Sequence, residues 1–339
     1  TEHAAAVREL HSGRDREVGQ RHEIRWNEKG KLLTSALDRR STGEHTNVDN
    51  TSPLKKFRAL MARPKFIPAL GIWDPYTARV AEALGMECVH IGGYQLGAHY
   101  VTSEPLLTLT ELAWTTRYVT SAVKIPVVVD AGAGYGEPLH VMRCVRELEK
   151  AGAAAIHIED QIYPKRVHYH KGVEHVIPRG EMVAKIKAAL AARSNPDFFI
   201  MARTDSMRTD GFAEGVARAN LYLEAGAEMV MIFPNTMEEA RRAPKEINGP
   251  LAYTNSEGNK LRRPLFSVQE FQEIGYKLST YPTALLCPVT QTLKRVITNL
   301  KTKGVSGNDP EEMIPWRKEV EDLIGLEEYY RIESETVER

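Results

Sequence analysis

Eight short apolar runs, separated by longer amphipathic stretches, restrict what this chain can become. They are Phe66–Gly71, Val89–Gly93, Pro126–Asp130, Ala154–Glu159, Phe198–Arg203, Met229–Phe233, Leu251–Thr254 and Leu278–Tyr281. Continuous apolar strands, unlike alternating ones, are buried on both faces, which means a parallel sheet covered by helices. Helical patterns fill the gaps at Pro75–Leu84, Leu109–Val123, Pro138–Ala151, Arg179–Ala192, Phe212–Ala225, Glu238–Ile247 and Ser267–Ile274. Many close on a glycine (Gly85, Gly152, Gly226, Gly275), the residue that supplies a left-handed helix cap. Eight such units predict an α/β fold, a (β/α)8 TIM barrel. A doubly wound sheet needs a glycine-rich first turn, and no G-x-G-x-x-G follows any strand; Gly132, Gly134 and Gly136 are spaced differently.

The barrel is expected over 53–289. Residues 1–52 read as an N-terminal arm: 18 of the first 50 side chains are charged, 36% against 27% overall. Thr1–Leu10 and Glu23–Leu37 have helix-forming composition, so the arm is expected to pack on the barrel or a neighbouring subunit. Residues 290–339 read as additional helices: Thr290–Lys303, a Gly/Ser/Asn/Asp/Pro break at 304–310, then Glu311–Leu323 and Leu326–Arg331.

Composition excludes several classes. Lys and Arg total 45, as do Asp and Glu, so no net field attracts a polyanion and nucleic acid is not an expected partner. No stretch approaches the roughly 18 consecutive apolar residues of a membrane span. The first 30 residues contain no apolar signal core. Three scattered cysteines (Cys88, Cys144, Cys287) make no disulfide framework, which points to a reducing, cytoplasmic setting.

In a TIM barrel the chemistry gathers where strands end. Here most runs finish on polar or special residues: Trp73-Asp74, Gly92-Gly93-Tyr94, Asp130, Glu159-Asp160, Arg203 with Asp205, and Thr254-Asn255 with Glu257. The sixth, Phe233-Pro234-Asn235, is weaker. A carboxylate ending an apolar strand is costly unless it caps a helix, pairs with a base or meets a cation. Asp130 and Glu159 end consecutive strands, and two hard oxygen ligands with room for water suit Mg2+ or Mn2+. Arg203, one strand further round, offers a permanently charged fork for a substrate carboxylate or phosphonate, or a structural bridge to Glu159 or Asp205. The long loop from Gln161 to Pro178 carries Lys165, Arg166, His168, His170, Lys171 and His175. Loops of that length in compact barrels are commonly lids, although a charge run is also simply a solvated surface. His168-x-His170 could suit zinc, but no third ligand is evident.

These motifs, in order, resemble those of the isocitrate lyase and phosphoenolpyruvate mutase superfamily, its methylisocitrate and dimethylmalate lyase branch in particular, over about residues 53–300. The matching stretches are Trp73-Asp-Pro-Tyr-Thr-Ala, Ile91-Gly-Gly-Tyr, Asp130-Ala-Gly-Ala-Gly-Tyr-Gly, Ile158-Glu-Asp-Gln, Pro164-Lys-Arg, Ala202-Arg-Thr-Asp and Glu257-Gly. The resemblance implies an Mg2+-dependent enzyme acting on a small 2-oxo or 2-hydroxy acid, a C–C lyase using retro-aldol chemistry. It implies a homotetramer, a dimer of dimers, whose last barrel helix is exchanged between subunits. Asp130 and Glu159 would serve the metal. Arg203 and Lys165 would be catalytic, with Gly92, Gly93 and Tyr94 in the carboxylate pocket and the 161–178 loop as its gate. Trp73, Asp74, Val167, Thr254, Asn255 and Glu257 would complete the substrate site.

The chain also departs from the pattern. Val167 stands where lyases carry a catalytic cysteine, leaving His168, Tyr169 or His170 as substitutes. Gly132 replaces the second aspartate of the Asp-x-Asp pair, so water or Glu137 would complete the metal shell. Phe233-Pro234 falls near the place of a glutamate. A hydrolase or phosphonomutase on the same scaffold, or an inactive barrel kept for binding or assembly, are the alternative expectations.

Overall fold

A computed structural model describes residues 52–337. The expected arm at 1–52 lies, but for Ser52, outside the described residues. Ser52 caps α1 (Pro53–Ala62), accepting from the Lys55 amide. There follow β1 (Ile67–Ile72), α2 (Pro75–Ala83), β2 (Val89–Ile91), α3 (Gly93–His99), α4 (Leu109–Ala122), β3 (Val127–Asp130), α5 (Pro138–Lys150) and β4 (Ala155–Glu159). Then come α6 (Arg179–Ala192), β5 (Phe199–Arg203), α7 (Ser206–Thr209), α8 (Phe212–Glu224), β6 (Met229–Met231), α9 (Met237–Glu246), β7 (Leu251–Thr254), α10 (Val268–Ile274) and β8 (Leu278–Tyr281). The chain ends in α11 (Leu286–Lys303), α12 (Pro310–Ile324) and α13 (Leu326–Thr336). The strands form a closed barrel in chain order, and β1 pairs parallel with β8 to complete it. Each apolar run supplied one strand. The additions are α1, α3 and α7, which the sequence pattern did not reveal.

The pleat sorts side chains into two cores. Val127 and Val129, Ile156 and Ile158, and Ile200 and Ala202 point outward and pack under the helices. Val128, Ala155, Phe199 and Met201 point into the barrel with Ile67, Met229, Met231 and Leu278. Because side chains alternate with period two, the same inward parity that places Val128, Ala155 and Met201 in the apolar interior carries Asp130, Glu159 and Arg203 to its upper rim. The opposite end is stoppered by α1. Its fully buried Phe57 meets Phe199 edge to face at 5.2 Å, and Arg58 pairs with Glu228. Filling the lower barrel with a side chain from outside the sheet leaves only the upper mouth for a ligand.

Truncating that stopper opens a void among close-packed strand residues. Phe57→Ala is expected to lower unfolding free energy by about 3–5 kcal/mol, measured by urea denaturation; a loss below about 1 kcal/mol would mean that α1 is not part of the core.

Candidate active site

Three consecutive strand ends build the centre. Asp130 closes β3, Glu159 closes β4 and Arg203 closes β5, with Glu159 wholly buried and the other two 8% exposed. Arg203 Nη1 lies 3.1 Å from Glu159 Oε2 and 3.6 Å from Asp130 Oδ2. Asp205 fixes the far edge of the guanidinium, accepting from Nε at 3.0 Å and Nη2 at 3.2 Å. Asp205 is itself held from behind. Its backbone N–H donates to Asp160 Oδ1 at 3.0 Å, while Thr204, Arg218 and Tyr222 converge on Asp160 Oδ2. A buried carboxylate with this many donors is a satisfied structural anchor.

Loops complete the cluster. Glu104, in a short 3-10 turn after α3, joins Asp130 and Glu159 in a carboxylate triad whose ligand atoms all lie within 4.8 Å of one another. Lys165 reaches in from the 161–178 loop, 2.9 Å from Glu159 Oε1, and also pairs with Glu104. The Tyr169 hydroxyl donates to Glu104, and the Lys165 ammonium sits 4.1 Å from the centroid of the Tyr169 ring. The loop carrying these groups is tied back by an isolated bridge between Gln161 and Val176. Gly93 makes room for Glu104: a Cβ there would fall 2.2 Å from Glu104 Cγ.

Electrostatics follow from this crowding. Burial pushes the Glu159 carboxyl up, to about 7, while Arg203 and then Lys165 pull it down. Burial works against the charge on Arg203, but Asp205, Glu159 and Asp130 hold its pKa well above the ordinary value. Burial also opposes the Lys165 charge; Glu104 and Glu159 outweigh it and raise its pKa. Burial and then the Glu104 charge keep the Tyr169 phenol protonated, far above the usual range. Below the cluster His90 and His157 face each other, Nε2 to Nε2 at 2.9 Å, and burial drives both down to about 3, so the pair is neutral.

The donor set fits a hard divalent cation. All three triad ligands are carboxylate oxygens, and Glu159 Oε1 is buried without a well-formed hydrogen bond. Four carboxylates here (Glu104, Asp130, Glu159, Asp205) face two cations (Lys165, Arg203). The cluster itself is richer in carboxylates than in cations, which favours a divalent ion. Such an ion would share its carboxylates with Lys165.

A cavity of about 480 Å³ opens above, lined by Gly92, Gly93, Tyr94, Glu104, Asp130, Tyr169, His170, Arg203, Thr254 and Glu257 among others. Other sequence candidates fall elsewhere. Trp73 and Asp74 do not line it; Asp74 caps α2 through the Thr77 amide and hydroxyl. Asn255 spends its amide on the Phe266 backbone, accepting at 3.1 Å and donating at 2.9 Å. Val167, His168 and His170 are all exposed on the turn of the 161–178 loop, but of the three His170 alone lines the cavity, 3.1 Å from Ser103 Oγ. Glu137, weighed for the metal shell, caps α5 instead. Glu104, His90 and His157 were missed. Glu104 follows no apolar run, and the only local sign was a carboxylate beside Pro105 in the loop after the second unit.

This is a barrel of the kind that handles a small anion at an acidic, cation-binding mouth. The family model described as phosphoenolpyruvate phosphomutase matches residues 57–301. The chain is 38% identical to 2,3-dimethylmalate lyase of Eubacterium barkeri, covering 82% of this chain and 96% of the relative. It is also 38% identical to 2-methylisocitrate lyase of Aeropyrum pernix, covering 82% and 89% respectively. Among solved structures, 2,3-dimethylmalate lyase superposes with TM-score 0.77 at 29% identity, over 85% of this chain and 96% of that one. Oxaloacetate acetylhydrolase with 3,3-difluorooxalacetate also gives 0.77, at 26% identity, over 84% and 98%. The chain belongs to the phosphoenolpyruvate mutase/isocitrate lyase superfamily, and these two curated relatives are carbon–carbon lyases. No helix among the described residues is long and apolar enough to cross a membrane.

The contact between Gly93 and Glu104 supplies a test. Gly93→Ala forces the Glu104 carboxylate aside. It is expected to weaken Mn2+ binding, followed by electron paramagnetic resonance, by about tenfold, the scale on which displaced groups around a metal act. Unchanged affinity would remove Glu104 from the metal shell.

Proposed function

We propose that this chain is an Mg2+-dependent lyase that cleaves a C–C bond of a small substituted 2-hydroxy acid, of the malate or isocitrate type, by a retro-aldol reaction through an enolate-like anion. The carboxylate triad beside a pre-oriented arginine carries this reading. Asp130 and Glu159 hold the metal, with Glu104 in place of the carboxylate lost at Gly132. A bound Mg2+, for which Mn2+ can substitute, supplies Lewis-acid polarisation of the substrate oxygens. Arg203 grips the substrate carboxylate and stabilises charge that grows as the bond breaks. Gly93 and Tyr94 line the same cavity and would offer backbone N–H groups to the anion, that of Gly93 donating to Asp130 Oδ2 at 3.5 Å in this structure. Lys165, kept charged by Glu104 and Glu159, holds the gate loop against the site and excludes water. A triad carboxylate takes the hydroxyl proton. His170, the gate histidine that lines the cavity, gives one to the leaving carbanion, replacing the absent thiol at Val167.

Hydrolysis on a 2-oxo acid is the second reading. Exposed Val167 offers no thiol proton, and oxaloacetate acetylhydrolase matches the fold as well as the lyase does. The intact acid–base cluster speaks against an inactive barrel.

The C-terminal helices support a homo-oligomer, a dimer of dimers. None of the residues in α11, α12 or α13 is buried, although α11 presents Leu293, Ile297 and Leu300 along one stripe and α12 presents Trp316 and Val320. Exposed apolar patches of this kind mark an interface, and exchange of α11 between subunits would cover them. The free thiols, two of them buried, agree with a reducing, cytoplasmic compartment.

Oxo-acid release from 2,3-dimethylmalate and 2-methylisocitrate, with Mg2+ or with chelator, tests the activity. Cleavage of one of them that vanishes with chelator is expected, and Asp130→Asn should lower kcat/KM by about 10³-fold, the equivalent of about 4 kcal/mol of transition-state stabilisation. Activity surviving both treatments would overturn the reading. Ile297→Glu is expected to give a smaller species in sedimentation; an unchanged mass would remove α11 from the interface.

A further inference from the structure

The cavity holds a cation that the reaction above does not use. Arg263 lies in the loop between β7 and α10 and lines the same cavity as Phe233 and Arg203. Its guanidinium rests 4.9 Å from the centroid of the Phe233 ring, and the guanidinium of Arg203 rests 4.6 Å from the same centroid. The two charges are therefore separated by no more than those two distances together, the span of a short dicarboxylic acid. Three arginines line this cavity, and their partners differ. Arg203 is clamped by Asp205, and Arg208 pairs with Glu174 at 2.7 Å. Arg263 Nε and Nη1 are buried and, among the described residues, donate to nothing. Leaving such a group desolvated and unpaired is costly. Burial first and Arg208 second lower its pKa, to about 10, and it remains charged at neutral pH.

The backbone around Arg263 is fixed. Tyr253 donates to the Pro264 carbonyl at 2.8 Å, and Asn255 makes two hydrogen bonds with Phe266. An unpaired guanidinium on a pinned loop, facing a cavity with a second guanidinium at its acidic pole, is a preorganised receptor for a carboxylate.

We infer that Arg263 determines specificity by binding a second carboxylate of the substrate, distal to the one held at Arg203, so that this enzyme selects dicarboxylic over monocarboxylic acids. The inference rests on the proposed function for the orientation of the first carboxylate. Its occupant completes the charge pairing that the protein leaves open at Arg263, and the Phe233 ring, which both guanidiniums approach, adds an apolar surface to the same cavity.

The test uses a matched pair of probes, 2-oxoglutarate and 2-oxopentanoate, which have the same five-carbon chain with and without the distal carboxylate. Calorimetry on the full-length, Mg2+-loaded protein is expected to give about 10- to 100-fold tighter binding of 2-oxoglutarate, the scale of one hydrogen bond to a charged group. Arg263→Met should erase that preference while leaving 2-oxopentanoate within about twofold, and Arg263→Lys should restore part of it. A wild type without the preference, or an R263M protein that retains it, overturns the inference. Equal weakening of both probes in R263M also overturns it, since that is the mark of a structural role. A wild type that cleaves no 2-hydroxy acid yet prefers 2-oxoglutarate through Arg263 fails the lyase reading and keeps this one.

Discussion

The upper barrel is organised around one electrostatic problem: carboxylates driven into a dry place by the alternation of β-strands. Asp130 and Glu159 cannot turn outward, because their strand neighbours Val129 and Ile158 already occupy the outer core. Burial raises the free energy of their charged forms, and the surroundings answer with Arg203 and Lys165. Asp205 then fixes Arg203, and Asp160 fixes the backbone of Asp205. The chain of satisfied groups runs outward from the strand ends to Arg218 and Tyr222 on α8, so the geometry of the site is supported by a helix that never reaches the cavity.

The same arrangement links catalysis to the gate. Lys165 and Tyr169 belong to the loop after β4, yet both terminate on Glu104, which belongs to the loop after β2. Ion pairing and hydrogen bonding thus join the loop after β4 to the loop after β2 through one carboxylate. Gly93 is where the path narrows, because any side chain there collides with Glu104. The cavity is mixed in sign: carboxylates gather at the strand ends, and its lining also includes Arg263, which has no carboxylate of its own among the described residues.

Much of this was legible before any coordinates. Eight apolar runs gave eight strands, and their polar last residues marked the mouth. Asp130, Glu159 and Arg203 stood out as the residues that end consecutive strands, and the pleat of the folded strands turns them inward. Other residues were misplaced for identifiable reasons. Asp74 and Asn255 follow strands as site residues do, but the nearest backbone amides and carbonyls claimed them first, one as a helix cap and the other as a loop clamp. His168 and His170 look equivalent in the sequence; both are exposed on a 3-10 turn, and only His170 lines the cavity.

The sequence by itself determined the closed barrel, the inward acids at its rim and the family to which the motifs belong. These are consequences of periodicity and of residue order within single strands, where each position's direction follows from its neighbour's. Only the tertiary structure decided that Glu104 completes the carboxylate triad, that Asp205 and Asp160 brace Arg203, and that Arg263 stands unpaired beside Phe233. Those relations join residues from different loops, and a loop carries no period from which the direction of a side chain can be counted. Their positions are set by which buried charge finds which partner when the whole barrel closes.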